Sequence, residues 1–184
     1  MEIKITTNHL LKVLQVLSWI IFIGLSIEAG GIIFNLIYTF TMHPEKSYSF
    51  WEGADLSSLY QYDQGQFIVV AVFMIIVGML KATMFYLIIK LFVDKKLDMS
   101  KPFTAALRRF ILNVGYLTLC IGIFSHWGSE YAGWLAAKNI DMPDPYSLHL
   151  YGADIWFFMA VTLFVIAQVV KKGIEIQHEN DLTI

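Results

Sequence analysis

Four long apolar stretches separated by polar connections dominate the chain: 11–40, 67–93, 110–130 and 151–170. A helix climbs about 1.5 Å per residue and the hydrocarbon core of a bilayer is about 30 Å thick, so roughly 20 apolar residues make one crossing. All four stretches reach that length, and none contains proline. The first two are longer than an upright crossing needs, which predicts tilt or projecting ends. The third loses hydrophobicity after Phe124, and its helix is predicted to run on outside the bilayer through His126, Trp134 and Ala137. Pro44, Pro102, Pro143 and Pro145 all fall in connections, where a missing backbone donor does no harm. The first stretch is about twice as long as the apolar core of a signal peptide and has no tidy small-residue cleavage site, so it is read as a retained span.

The pattern predicts an all-α membrane protein, a single four-transmembrane-helix bundle with a tail at 171–184. Its direction follows from lysine and arginine. Lys4, Lys12, Lys90, Lys95, Lys96, Lys101, Arg108, Arg109, Lys171 and Lys172 border the termini and the middle connection, whereas the other two connections carry only Lys46 and Lys138. The positive-inside rule then predicts both termini in the cytoplasm (N-in/C-in) and two outward-facing loops rich in aromatics and acids. The halves of the chain show no residue-level echo of each other.

Composition narrows the class. At 57% hydrophobic and 15% charged, the 184 residues are far greasier than a soluble domain, which is roughly 45–50% apolar and about 25% charged. A single cysteine, Cys120, rules out a disulfide scaffold, and a net charge of -2 argues against direct nucleic-acid binding.

Two charges stand deep inside apolar stretches, Glu28 and Lys81, away from the ends where Lys12, Lys90, Glu130 and Asp154 lie. An ionised group in mid-bilayer costs about 2.5–3.5 kcal/mol, so such residues face a bundle and find partners. The spacing predicts that spans 1 and 2 are antiparallel neighbours joined by a Glu28–Lys81 intramembrane ion pair. The pair reads either as a structural bridge that fixes register or as a proton or ligand site. Small residues four apart, Ser26 with Gly30, Gly78 with Ala82 and Thr118 with Gly122, predict close helix contacts.

In the outward loops, Trp and Tyr side chains read first as an aromatic belt at the headgroups. The competing reading is a small folded cap with a cleft around Trp51, Trp134, Glu130 and Asp154. His43, His126 and His149 lie on that side too, but no two histidines stand three or four apart. No metal and no cofactor is therefore expected. Hydrolase and phosphate-loop signatures are missing, which argues against an enzyme.

The tail reads Gly173-Ile174-Glu175-Ile176-Gln177-His178-Glu179-Asn180-Asp181-Leu182-Thr183-Ile184, and the middle loop carries Lys101-Pro102-Phe103. Both features resemble the YoaS-like family of uncharacterised four-span bacterial membrane proteins, a domain-of-unknown-function family (DUF2975). The resemblance implies a bacterial cytoplasmic membrane and a helix-turn-helix regulator as cytoplasmic partner. It brings no catalytic residue. The tail then has two readings: docking on a partner through Ile174, Gln177, Glu179, Asn180, Asp181, Leu182 and Ile184, or folding back on the 95–109 loop through its acids. The function expected is a non-enzymatic membrane regulator or accessory protein, alone in the bilayer or as a homo-oligomer. The alternative is a small transporter or proton-coupled carrier built on Glu28 and Lys81.

Overall fold

The structure, a computed structural model, describes residues 7–41, 47, 49–94 and 103–181. Five helices follow in order: α1 (Thr7–Thr41), α2 (Ser57–Tyr62), α3 (Gln64–Val93), α4 (Ala105–Ala136) and α5 (Ala153–Asp181). Four of them are long and apolar enough to cross a membrane, His9–Thr41, Gln64–Val93, Ala105–Ala136 and Ala153–Asn180, which makes the chain an all-α, multi-pass membrane protein. Side-chain oxygens set two of the starts by accepting an otherwise orphaned backbone N–H. Asp63 caps α3 by accepting from Gln66, and Thr104 caps α4 by accepting from Leu107. Gly152, with φ +76°, turns the chain into α5.

Neighbours in sequence are neighbours in space. α1 packs on α3, α3 on α4 and α4 on α5, with α2 against α3, while α1 and α5 do not pack on each other among the described residues. Glycine marks the tight points. Gly78 meets Ala29, Gly115 meets Phe164, and Gly122 meets Phe157. The expected small-residue contacts therefore hold at Gly78 and Gly122. Gly30 has nothing within 4 Å and the Ser26 hydroxyl turns back to the carbonyl of Phe22, so that pair lies off the helix interface. The close approach sits one residue later, at Gly31, where a Cβ would overlap the ring of Trp51.

Carried along α4 and α5, the Gly122–Phe157 register sets the start of α5 level with His126. The last ten residues of α4, about 15 Å of helix, stand beyond that level. Around them the described parts of both long connections, 49–63 and 137–152, fold inward as a cap. Phe50, Leu56, Leu59, Phe67, Leu135, Leu148 and Leu150 are wholly buried there. The Phe67 ring meets Phe50 and Tyr60 edge-on and lies tilted to Phe40. The aromatic-belt reading thus fails for Tyr60, which packs with Phe50 in a core, whereas Trp127, Trp134, Tyr146 and Tyr151 stay exposed. At the opposite, tail end a smaller cluster gathers Ile111, Ala167 and Val170 with Leu107, Phe110 and Ile174.

The tail itself departs from expectation. α5 does not stop near Val170 but continues as helix to Asp181. Gly173 lies against the ring of Phe103 and Ile174 joins the tail-end cluster, while Glu175 pairs with Lys172 (3.2 Å) and Lys171 (3.9 Å) of its own helix. Gly173 and Ile174 meet the start of α4 through apolar groups, and Glu175 turns to its own helix; the 95–102 part of the loop on which the fold-back reading rests lies outside the described residues. The Asp181 side chain, Leu182 and Ile184 lie outside the described residues, as do His43 and the 95–102 part of the middle loop.

Candidate functional site

Phe22 against Tyr86, Ala29 against Gly78 and Phe40 against Phe67 fix the antiparallel register of α1 and α3. It puts Glu28 level with Met79, about 3 Å in depth from Lys81. Those two charges do meet at one place, but what lies between them comes from a loop. After Pro143 and Pro145 the chain closes a tight turn, with the Leu148 N–H on the Asp144 carbonyl (3.2 Å), the His149 N–H on Tyr146 (2.9 Å) and the Leu150 N–H on Pro145 (3.0 Å). The Ser129 hydroxyl donates to the Leu150 carbonyl. Leu148 and Leu150 are fully buried, and the residue between them is carried inward with them. That residue, His149, holds φ +58°, a left-handed conformation in which histidine is tolerated better than most side chains.

His149 Nδ1 lies 2.7 Å from Glu28 Oε1 and its Nε2 lies 3.3 Å from Glu52 Oε2. The Lys81 ammonium donates to the His149 backbone carbonyl at 3.3 Å. Ion pairs among the described residues include no direct Glu28–Lys81 contact within 4.0 Å, so the expected pair is corrected to a cluster bridged by His149. The reason is geometric: the imidazole occupies the carboxylate, and its carbonyl occupies the ammonium.

A neutral imidazole has one N–H, yet both ring nitrogens of His149 face carboxylates. Satisfying both takes the imidazolium, which has two. Accordingly the hydrogen bond to Glu28 raises the His149 pKa above its ordinary 6.5, with the charges of Glu28 and Glu52 adding to it and burial and Lys81 opposing it.

Glu52 reaches the imidazole from a second tight turn. Glu52 (φ 43°) and Gly53 (φ 86°) are both left-handed, the Ala54 N–H bonds the Trp51 carbonyl (2.8 Å), and the Phe50 N–H bonds that of Ala54 (2.9 Å). Asn35 of α1 donates its side-chain amide to the Phe50 carbonyl at 2.6 Å, and the Trp51 ring lies on Gly31. Ile21, Gly24, Leu25, Ile27 and Glu28 of α1, with Trp51 and Glu52, line a groove of about 470 Å³ beside the cluster.

The cleft expected around Trp51, Trp134, Glu130 and Asp154 does not form. Trp51 belongs to the α1 side, whereas Trp134 is exposed on α4 with the Lys138 ammonium 3.5 Å over its ring, and Glu130 and Asp154 are exposed. Among the described residues α1 and α4 do not pack together, so these tryptophans face different neighbours. At the tail end, Gln177 and Asn180 line a second groove of about 610 Å³ with Phe103, Val169, Lys172, Gly173 and Ile176.

Residues 36–184, most of the chain and all of its cap, match the family described as Protein of unknown function (DUF2975). The chain belongs to DUF2975. No curated protein and no solved structure matches it. The match begins inside α1, so in this DUF2975 protein Glu28 precedes the matched segment while Glu52, Lys81 and His149 fall within it.

Reading residues in isolation missed the parts that His149 and Glu52 play. The usable signal was local: Leu148 and Leu150 flank His149 directly after a turn that holds Pro143 and Pro145.

Proposed function

We propose that this DUF2975 protein is a non-enzymatic regulator of the YoaS-like kind in a bacterial inner membrane, with both termini cytoplasmic and its cap outside. The Glu28–His149–Glu52–Lys81 cluster is its input, and the helical end of α5 is its output. The observation that carries the reading is that one titratable residue, His149, ties its own loop to three other segments: its imidazole meets Glu28 of α1 and Glu52 of the first-loop turn, and its backbone carbonyl takes the Lys81 ammonium of α3. A change of charge there alters how all four sit, and α3 and α4 connect the cap to the tail-end contact of Gly173 with Phe103. Lys90, Arg108, Arg109, Lys171 and Lys172 gather at that end, which supports the orientation. The partner that suits the output is the soluble helix-turn-helix regulator implied by the family resemblance.

Co-purification from solubilised membranes tests the reading. A helix-turn-helix protein is recovered with the full chain and lost when 173–184 are removed, and Glu28→Gln changes the recovered amount. Recovery that ignores both changes overturns it. The groove beside Glu28 favours a carrier as second reading, which requires pH-dependent flux in proteoliposomes that Glu28→Gln stops.

A further inference from the structure

The groove beside the cluster has a composition of its own. Ile21, Gly24, Leu25 and Ile27 give it an apolar wall along α1, about 10 Å from Ile21 to Glu28. Gly24 leaves it open, since a Cβ there would meet nothing within 4 Å. At its cap end stand the Trp51 ring and two carboxylates, Glu28, little exposed, and Glu52, largely exposed. α1 is the outer member of the row of helices, so the wall is open to a lipid phase.

The charges on each element facing His149 decide what fits. α1 supplies Glu28, the first loop Glu52, and α3 Lys81. Two carboxylates against one ammonium leave one negative charge unmatched. Either a proton on His149 or a cation arriving along the groove neutralises it, and not both at full strength. An apolar wall, an indole ring and an unmatched carboxylate together select a cation with a greasy body, because aromatic rings and carboxylates each attract cations that shed water easily.

We propose that this groove binds a lipophilic cation, a quaternary ammonium or phosphonium, with its charge between Glu28 and Glu52 against Trp51 and its apolar part along Ile21 to Ile27. Binding replaces the proton of His149, which leaves to water. The inference rests on the reading of the cluster as the input and gives that input a ligand class.

Equilibrium dialysis of the full chain in a non-ionic detergent, with tetraphenylphosphonium as probe, tests it. Binding is saturable, and Glu52→Gln weakens it about tenfold. Glu52 is largely exposed, so that variant keeps its fold and an unchanged melting curve checks this. Binding is tighter at about pH 8.5 than at about pH 6, and His149→Gln removes that difference. Tetraphenylborate, of the same shape and opposite charge, does not compete. Uptake that never saturates, or equal binding by wild type and Glu52→Gln, or competition by the borate, overturns the proposal. No soluble partner is present in this measurement. Saturable binding alongside a failed co-purification therefore sinks the regulatory reading alone, and the reverse pair of results sinks the ligand alone.

Discussion

The two ends of the molecule are built on different principles. At the cap end, loops turn inward and bury Phe50, Leu56, Leu59, Leu148 and Leu150 completely. At the tail end, among the described residues, a smaller buried cluster holds Ile111, Ala167 and Val170, and apolar side chains such as Val13, Val16, Ile20, Val165 and Val169 face outward. The hydrophobic effect acts only where water is the alternative. Segments that leave the bilayer must hide their apolar groups in a core, whereas lipid tails solvate an exposed valine as well as a neighbouring helix does. An open row of helices under a well-packed cap is the outcome, and the polar cluster sits where the two regimes meet.

The sharpest way to break this contrast is to trim one buried side chain at each end. Phe67→Ala takes a fully buried ring away from Phe40, Phe50 and Tyr60 and is expected to cost about 3–5 kcal/mol. Val170→Ala at the tail end is expected to cost about 1 kcal/mol, because the site is small and bordered by lipid-facing residues. Unfolding midpoints in a mild detergent compare the two, and equal losses would refute the contrast. Gly31 and Gly30 sharpen it within a single helix. Gly31→Ala drives a methyl into the Trp51 ring and costs about 1–3 kcal/mol, with a shift in tryptophan emission. Gly30→Ala meets nothing and gains up to about 1 kcal/mol of helix propensity. Adjacent glycines should therefore respond with opposite signs.

The membrane part was legible because it depends on length and hydropathy, which a sequence carries openly. The four spans, the continuation of the third past Phe124 and the proximity of Glu28 to Lys81 could all be read from counting residues. What needs the third dimension was not. Whether Trp51 or Trp134 joins the core depends on which helices touch, and that is set by packing against Gly31 and by the absence of α1–α4 contact among the described residues. The bridging role of His149 depends on a left-handed turn that brings it to residues far away in the chain. The helical tail was obscured by polarity: Lys171, Lys172 and Glu175 look like the end of a span, yet they support a helix through their own i,i+3 and i,i+4 pairs.

Acidity offers a gentler probe of the boundary between the two regimes. Folding raises the His149 pKa above the unfolded value near 6.5 through its bond to Glu28. The stabilisation this brings is complete below that unfolded value and is lost as pH rises through the folded one. Unfolding midpoints of the cap should fall on going from about pH 6 to about pH 9, and His149→Gln should flatten the profile across that window. A profile of the same shape in the variant would assign the pH dependence to some other group.

The smallest effect compares two glutamates with cationic partners. Glu28 exposes 16% of its side chain and meets His149 beneath the cap, while Glu175 exposes 45% and meets Lys171 and Lys172 on the surface of α5. Water and salt already screen the second group, and holding long side chains together costs rotamer freedom, so such a pair contributes about 0.5 kcal/mol or less. Glu175→Gln should leave the unfolding midpoint almost unmoved, and what little change it causes should vanish in high salt. Glu28→Gln should lower the midpoint clearly and keep doing so in salt, because the partner left behind is shielded from solvent ions. Equal salt sensitivity at the two positions would mean that the cap does not shelter its charges, and the distinction between the ends would then be one of side-chain size alone.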